Sequence, residues 1–182
     1  TPLCSGSDIL FQGSGADSYS WIGPNSFTSA LQNPVISDSD LTDSGLYTLI
    51  GTNTNGCRDS ITTNINVFPL PVVMATADQA EYCEEETIQL NVNSGTSYTW
   101  SGPDGFTSNL QSPSIFNSTT AQQGTYTIQI SDVNGCTNQG QVSILVISSP
   151  AVTIAGDVSV CEGELVQLTA QGNASTYSWT GP

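Results

Sequence analysis

Five cysteines, three tryptophans and one small cluster of aspartates carry what chemistry this sequence offers. Cys4 and Cys57 stand 53 residues apart, and so do Cys83 and Cys136. Equal spacing pairs them within successive copies of one unit, as Cys4–Cys57 and Cys83–Cys136, and leaves Cys161 to a partner beyond the chain end. The competing reading is a metal site, but a zinc shell takes four ligands and the sequence has no CxxC and no histidine. In the chain-entropy model a bridge closing a loop of this size stabilises by roughly 4 kcal/mol. Disulfides persist in oxidising compartments, so the expected location is extracellular, at the cell surface.

Asp38, Asp40 and Asp43 crowd one loop, and oxygen-rich acidic loops can hold calcium. The corresponding positions one unit later are Asn117, Thr119 and Gln122, so a solvated turn is the favoured reading and calcium remains an option for the first unit only. Glu84, Glu85 and Glu86 read as a solvated strand entry. Trp21, Trp100 and Trp179 could form a platform for stacking sugars, yet their recurrence at one position of every unit favours a core role, shared with Tyr47 and Tyr126. Asn117-Ser118-Thr119 and Asn173-Ala174-Ser175 fit the N-glycan sequon. Catalysis is not expected, because no histidine or lysine is present to serve as base and the cysteines are committed to bridges.

The chain has 16 Asp and Glu against one Arg and no Lys, for a net charge of −15. Such a surface repels phosphate backbones and anionic headgroups, so neither nucleic acid nor an acidic membrane is expected as a partner. Only 9% of residues are charged while 37% are hydrophobic. That composition implies a Ser, Thr, Asn and Gln surface over filled cores rather than disorder. No stretch approaches the roughly 20 apolar residues of a membrane helix, and membrane insertion is not expected.

Sliding the sequence on itself by 79 positions aligns Cys4 with Cys83 through Pro71 with Pro150 without a gap. Tyr19-Ser20-Trp21-Ile22-Gly23-Pro24 falls on Tyr98-Thr99-Trp100-Ser101-Gly102-Pro103, and Asn55-Gly56-Cys57 on Asn134-Gly135-Cys136. A third copy starts at Cys161 and reaches Trp179. Apolar residues recur with period two, as in Ile88-Gln89-Leu90-Asn91-Val92 and Tyr126-Thr127-Ile128-Gln129-Ile130. Gly-Pro, Asn-Gly and Ser-Gly turns separate these runs. The expected fold class is all-β: tandem Ig-like sandwiches of about seven strands, each with one internal disulfide. The units run 1–69 (lacking a first strand), 70–148 (complete) and 149–182 (truncated). Short proline-bearing linkers, Phe68-Pro69-Leu70-Pro71 and Ser148-Ser149-Pro150, favour a stiff rod in which neighbouring repeats are partners.

The pattern of Cys, Trp 17 residues on, Gly-x-Tyr-x-apolar and Asn-Gly-Cys resembles the PKD-like and Ig-like repeats of large secreted surface proteins of the Bacteroidota. Across essentially the whole chain, the resemblance implies stalk repeats of an adhesin, including the gliding-motility adhesins exported by type IX secretion. Outer-membrane secretion or motility proteins and surface glycans would then be partners. Asp59-Ser60-Ile61 resembles the short O-glycosylation motif of that phylum. Tyr47 and Tyr126 resemble the tyrosine corner of antibody domains. Cys57 and Cys136 follow their tyrosines by ten residues instead of two, so each bridge is expected to tie the start of strand B to the F–G end. The alternative function is a carbohydrate-binding accessory module of a secreted hydrolase.

Overall fold

The computed structural model of the protein describes residues 2–155, 159 and 161–181. The first copy forms β1 (Leu3–Cys4), β2 (Ile9–Leu10), β3 (Ser18–Ile22), β4 (Thr28–Ser29), β5 (Val35–Ile36), β6 (Gly45–Thr52), β7 (Arg58–Ile65) and β8 (Val67–Phe68). The second forms β9 (Ala75–Ala77), β10 (Glu81–Cys83), β11 (Ile88–Val92), β12 (Ser97–Ser101), β13 (Thr107–Ser108), β14 (Ser114–Ile115), β15 (Gly124–Ser131) and β16 (Thr137–Ile147). The only helical pieces among the described residues are three-residue 3-10 turns at Leu41–Asp43, Pro103–Gly105 and Thr120–Gln122. The fold class is all-β, as the period-two patterning requires.

In the second copy a five-stranded sheet of order β10-β16-β15-β12-β13 faces a three-stranded sheet, β14-β11-β9. Every pairing is antiparallel except β10 with β16, where Cys83 lies beside Ile147. The first copy repeats the plan as a four-stranded sheet, β4-β3-β6-β7, with β2 paired to β5 and β1 parallel to β8. Cys4 there lies beside Phe68.

Alternation puts one face of each strand into a core. Ile88, Leu90 and Val92 of β11 meet Trp100, Tyr126, Ile128, Ile130, Ile144 and Val146 of the opposing sheet. A separate cluster of Ile9, Phe11, Trp21, Tyr47 and Val67 fills the first copy. In the 79-residue register Gly13 and Gly51 stand where the second copy has Val92 and Ile130, so one layer of the first core has lost its aliphatic side chains. Aromatic packing compensates nearby: the Phe11 ring lies 4.9 Å from Trp21 and 4.8 Å from Tyr47. In the third copy β17 (Val152–Ala155) and β18 (Thr169–Gly172) form an antiparallel pair.

Candidate functional site

The repeated Trp-x-Gly-Pro motif is a packing device. The indole N–H of Trp21 donates to the Leu31 carbonyl, and that of Trp100 to the Leu110 carbonyl, each at 3.0 Å. Both rings are buried. The recurrent Leu-Gln after them is used too, because the Gln32 and Gln111 amides donate to Gly13 O at 2.8 Å and Val92 O at 3.0 Å. Gly102 sits on the ring of Tyr126, where a Cβ would overlap ring carbons, and Gly23 sits on Tyr47 in the same way. Each tyrosine hydroxyl donates 2.7 Å back to a carbonyl four residues upstream, Tyr47 to Asp43 and Tyr126 to Gln122. That is the geometry of a tyrosine corner. Burial, with the Asp104 charge adding to it, pushes the Tyr126 phenol up to about 12.

Trp179 is 49% exposed, and the strands of the third copy among the described residues are β17 and β18.

The aspartate cluster is a cap. Asp40 Oδ1 accepts from Thr42 N at 2.7 Å, and Asp43 Oδ2 accepts from Asp40 N at 3.0 Å, a capping box around the 3-10 turn. Thr119 and Gln122 build the same box in the second copy, with Gln122 Oε1 accepting from Thr119 N at 2.6 Å. The charge is dispensable between copies because the function is hydrogen bonding to backbone. Asp38 stands outside the box, at positive φ, its N–H donating to Asp8 Oδ1 at 3.1 Å. Among the described residues no group of three or more His, Cys, Asp or Glu side chains is arranged to hold a metal ion. Hydrogen bonds from Thr42 hold the Asp40 carboxyl below its ordinary 3.8.

The cysteines differ most from expectation. The structure joins Cys4 to Cys136, with Cα atoms 5.7 Å apart, and leaves Cys57, Cys83 and Cys161 as exposed thiols. The expected Cys4–Cys57 and Cys83–Cys136 pairs are therefore both corrected. Cys83 sits level with Ile147, at one end of β16, and Cys136 just precedes Thr137 at the other. A strand of that length spans more than about 30 Å, whereas bridged Cα atoms lie within about 7 Å. The same distance separates Cys4, level with Phe68, from Cys57, which precedes Arg58.

The short linker supplies the alternative partner. Residue 68 ends β8 beside Cys4, and only three residues later the Pro71 carbonyl accepts from Asn138 Nδ2 at 2.9 Å, near the start of β16. Pro2 meanwhile lies against Gly135, whose φ of +82 completes the Asn-Gly turn. The cysteine ending β1 of one copy thus meets the turn cysteine of the next. The bridge buries Cys136 completely, while Cys57 at the corresponding place is exposed.

One open cleft of about 400 Å³ flanks the first copy, lined in part by Tyr19, Leu49, Gly51, Arg58, Asp59 and Ile61. In the second copy the corresponding face is covered by the segment leading into β9, where Val73 rests on Gly140. Ile61 takes the place of Gly140 and is 70% exposed.

The two-sheet architecture, the strand that runs parallel to the last strand of its copy (β1 with β8, β10 with β16) and the tyrosine corners define an Ig-like β-sandwich class. Within it, residues 69–146 match the PKD-like domain family. A comparison with curated proteins finds no match. Similar solved structures include the amphioxus IgVJ-C2 molecule, at 19% identity over 80% of this chain and 99% of that one with a TM-score of 0.37. Murine CEACAM1b is similar at 14% identity over 80% and 96%, TM-score 0.38. DIP-gamma IG1+IG2 is similar at 18% identity over 80% and 92%, TM-score 0.42. Likenesses at this level carry no functional argument.

Proposed function

We propose that this chain is a run of non-catalytic structural repeats, spanning 1–69, 70–148 and 149–182, in the stalk of a large secreted surface protein. The stalk projects a binding region away from the cell, in the manner of a gliding-motility adhesin exported by type IX secretion. The observation that carries this reading is the Cys4–Cys136 bridge, which fastens one sandwich core to the next across the Pro69-Leu70-Pro71 linker. A disulfide between copies resists hinge motion and strand separation at once, which is what tension along a stalk demands. The sparse Lys and Arg leave few sites for trypsin-type proteases, and an oxidised bridge suits an extracellular address.

Single-molecule pulling on the ends of the chain tests it. The bridge closes off a sequence separation of 132 residues, so reduction is expected to add roughly 450 Å of contour length on unfolding. Equal extension in oxidised and reduced protein would remove the support for a tension-bearing role.

A further inference from the structure

The observed bridge joins two kinds of half-site, and the chain carries a second specimen of each. The first kind is the end of a strand running parallel to the last strand of its copy. At Cys4, Ser5 N donates to Phe68 O at 2.8 Å and Gly6 N to Ser39 O at 2.8 Å. At Cys83 the frame repeats, with Glu84 N donating to Ile147 O at 3.0 Å and Glu85 N to Ser118 O at 2.7 Å. The left-handed residues also coincide, Gly6 at φ +86 and Glu85 at φ +73, and Asp38 at +54 with Asn117 at +53. Glu85 accepts a strained conformation to keep a frame that the bonded cysteine also uses.

The second kind is the turn cysteine. At Cys136, Asp132 Oδ1 accepts from Cys136 N and Asn134 N, each at 2.9 Å, and Asp132 N donates to Cys136 O at 3.0 Å. At Cys57, Asn53 Oδ1 accepts from Cys57 N and Asn55 N, each at 3.0 Å, and Asn53 N donates to Cys57 O at 3.0 Å. Both free thiols are thus held in the backbone setting in which their counterparts are bonded to each other, and both are exposed.

We propose that Cys57 and Cys83 are complementary half-links for covalent attachment to other repeats of this kind. Cys83 takes the cysteine of an Asn-Gly-Cys turn, and Cys57 takes a strand-end cysteine of the Cys4 type, so the Cys4–Cys136 bridge is one rung of a directional ladder. A second copy of this chain supplies both partners, its Cys57 for Cys83 and its Cys83 for Cys57. The inference rests on the repeated cysteine geometry and stands whether or not the array bears tension. Each rung converts two thiols to one disulfide and releases two protons and two electrons. A disulfide oxidant such as glutathione disulfide accepts them: one cysteine thiolate displaces a glutathione thiolate, and the second cysteine displaces the other from the resulting mixed disulfide.

Two full-length variants test the pairing rule. Cys57→Ser with Cys161→Ser leaves Cys83 free, and Cys83→Ser with Cys161→Ser leaves Cys57 free. Each is first verified to have one titratable thiol and an intact Cys4–Cys136 bridge. Mixed in equal amounts with glutathione disulfide, they are expected to give Cys57–Cys83 heterodimers over homodimers by on the order of tenfold, because complementary ends raise the effective concentration of the correct thiol. Peptide mapping identifies the linkage, and urea is expected to return the mixture to random pairing. Heterodimers at the random share without urea, or glutathione adducts with no interchain link, would overturn the proposal.

Discussion

Cys4 is bonded to Cys136, 132 residues away, with Cα atoms 5.7 Å apart. That separation is the 53-residue spacing carried one 79-residue repeat further. Periodicity makes pairing within a copy and pairing to the next copy equally regular in the sequence. Strand length breaks the tie, since β16 and the run of β7 and β8 hold the two cysteines of one copy at opposite ends.

Non-reducing peptide mapping is expected to recover the Cys4–Cys136 linkage and neither Cys4–Cys57 nor Cys83–Cys136. Cys136→Ser removes the constraint on the unfolded chain and is expected to lower stability by about 2–4 kcal/mol. Calorimetry of that variant should also resolve separate transitions for the two hydrophobic cores, which the bridge couples in the parent. A single unchanged transition would contradict this account.

Gly102→Ala places a methyl group in the ring of Tyr126. Overpacking of this sort is expected to cost about 1–3 kcal/mol, measured by urea denaturation. Recovery of stability in Gly102→Ala with Tyr126→Leu, relative to Tyr126→Leu alone, would tie the cost to that one contact.

The tryptophans should separate by environment. Trp100→Phe removes the indole donor to Leu110 O from a fully buried site, at an expected cost of about 1–3 kcal/mol. Trp179→Phe alters a half-exposed ring, with an expected change within about 0.5 kcal/mol. Similar losses at both sites would show that the third copy packs its tryptophan as the others do.

Alkaline pH should act through Tyr126. Its folded value of about 12 lies above the ordinary 10.0, so the fold favours the neutral phenol. The resulting stabilisation is fully present below pH 10 and is lost as pH rises from there towards 12, because the unfolded chain ionises first. Following tyrosinate absorbance alongside circular dichroism checks it. Titration of every tyrosine near the ordinary value with the fold intact would contradict the burial.

The double exchange Asp40→Thr with Asp43→Gln copies the capping box of the second repeat into the first. The melting temperature at neutral pH is expected to be unchanged, and added calcium should shift neither protein. In acid the two should diverge: the depressed Asp40 carboxyl contributes above its ordinary 3.8 and is lost as pH falls through its lower folded value, while the hydroxyl that replaces it does not titrate. A calcium-dependent rise in the parent alone would instead mark Asp38, Asp40 and Asp43 as ligands.

Much of the fold is legible because it follows from local rules. The period-two runs of β11 and β15 place Ile88, Leu90, Val92, Tyr126, Ile128 and Ile130 inward, as alternation demands. The roles of Asp40 and Asp43 are hidden by a chemical synonym, since a carboxylate and a Thr–Gln pair satisfy the same backbone donors.

By itself, the sequence determined the all-β class, the 79-residue period and the inward faces of the strands, because side-chain alternation and turn chemistry act between near neighbours. Which cysteine meets which was decided by tertiary structure alone. Strand length separates the two cysteines of a copy, and a short proline linker brings the end of one sandwich against the turn of the next. Distances of that kind are set by how packed units stack, and no spacing along the chain records them.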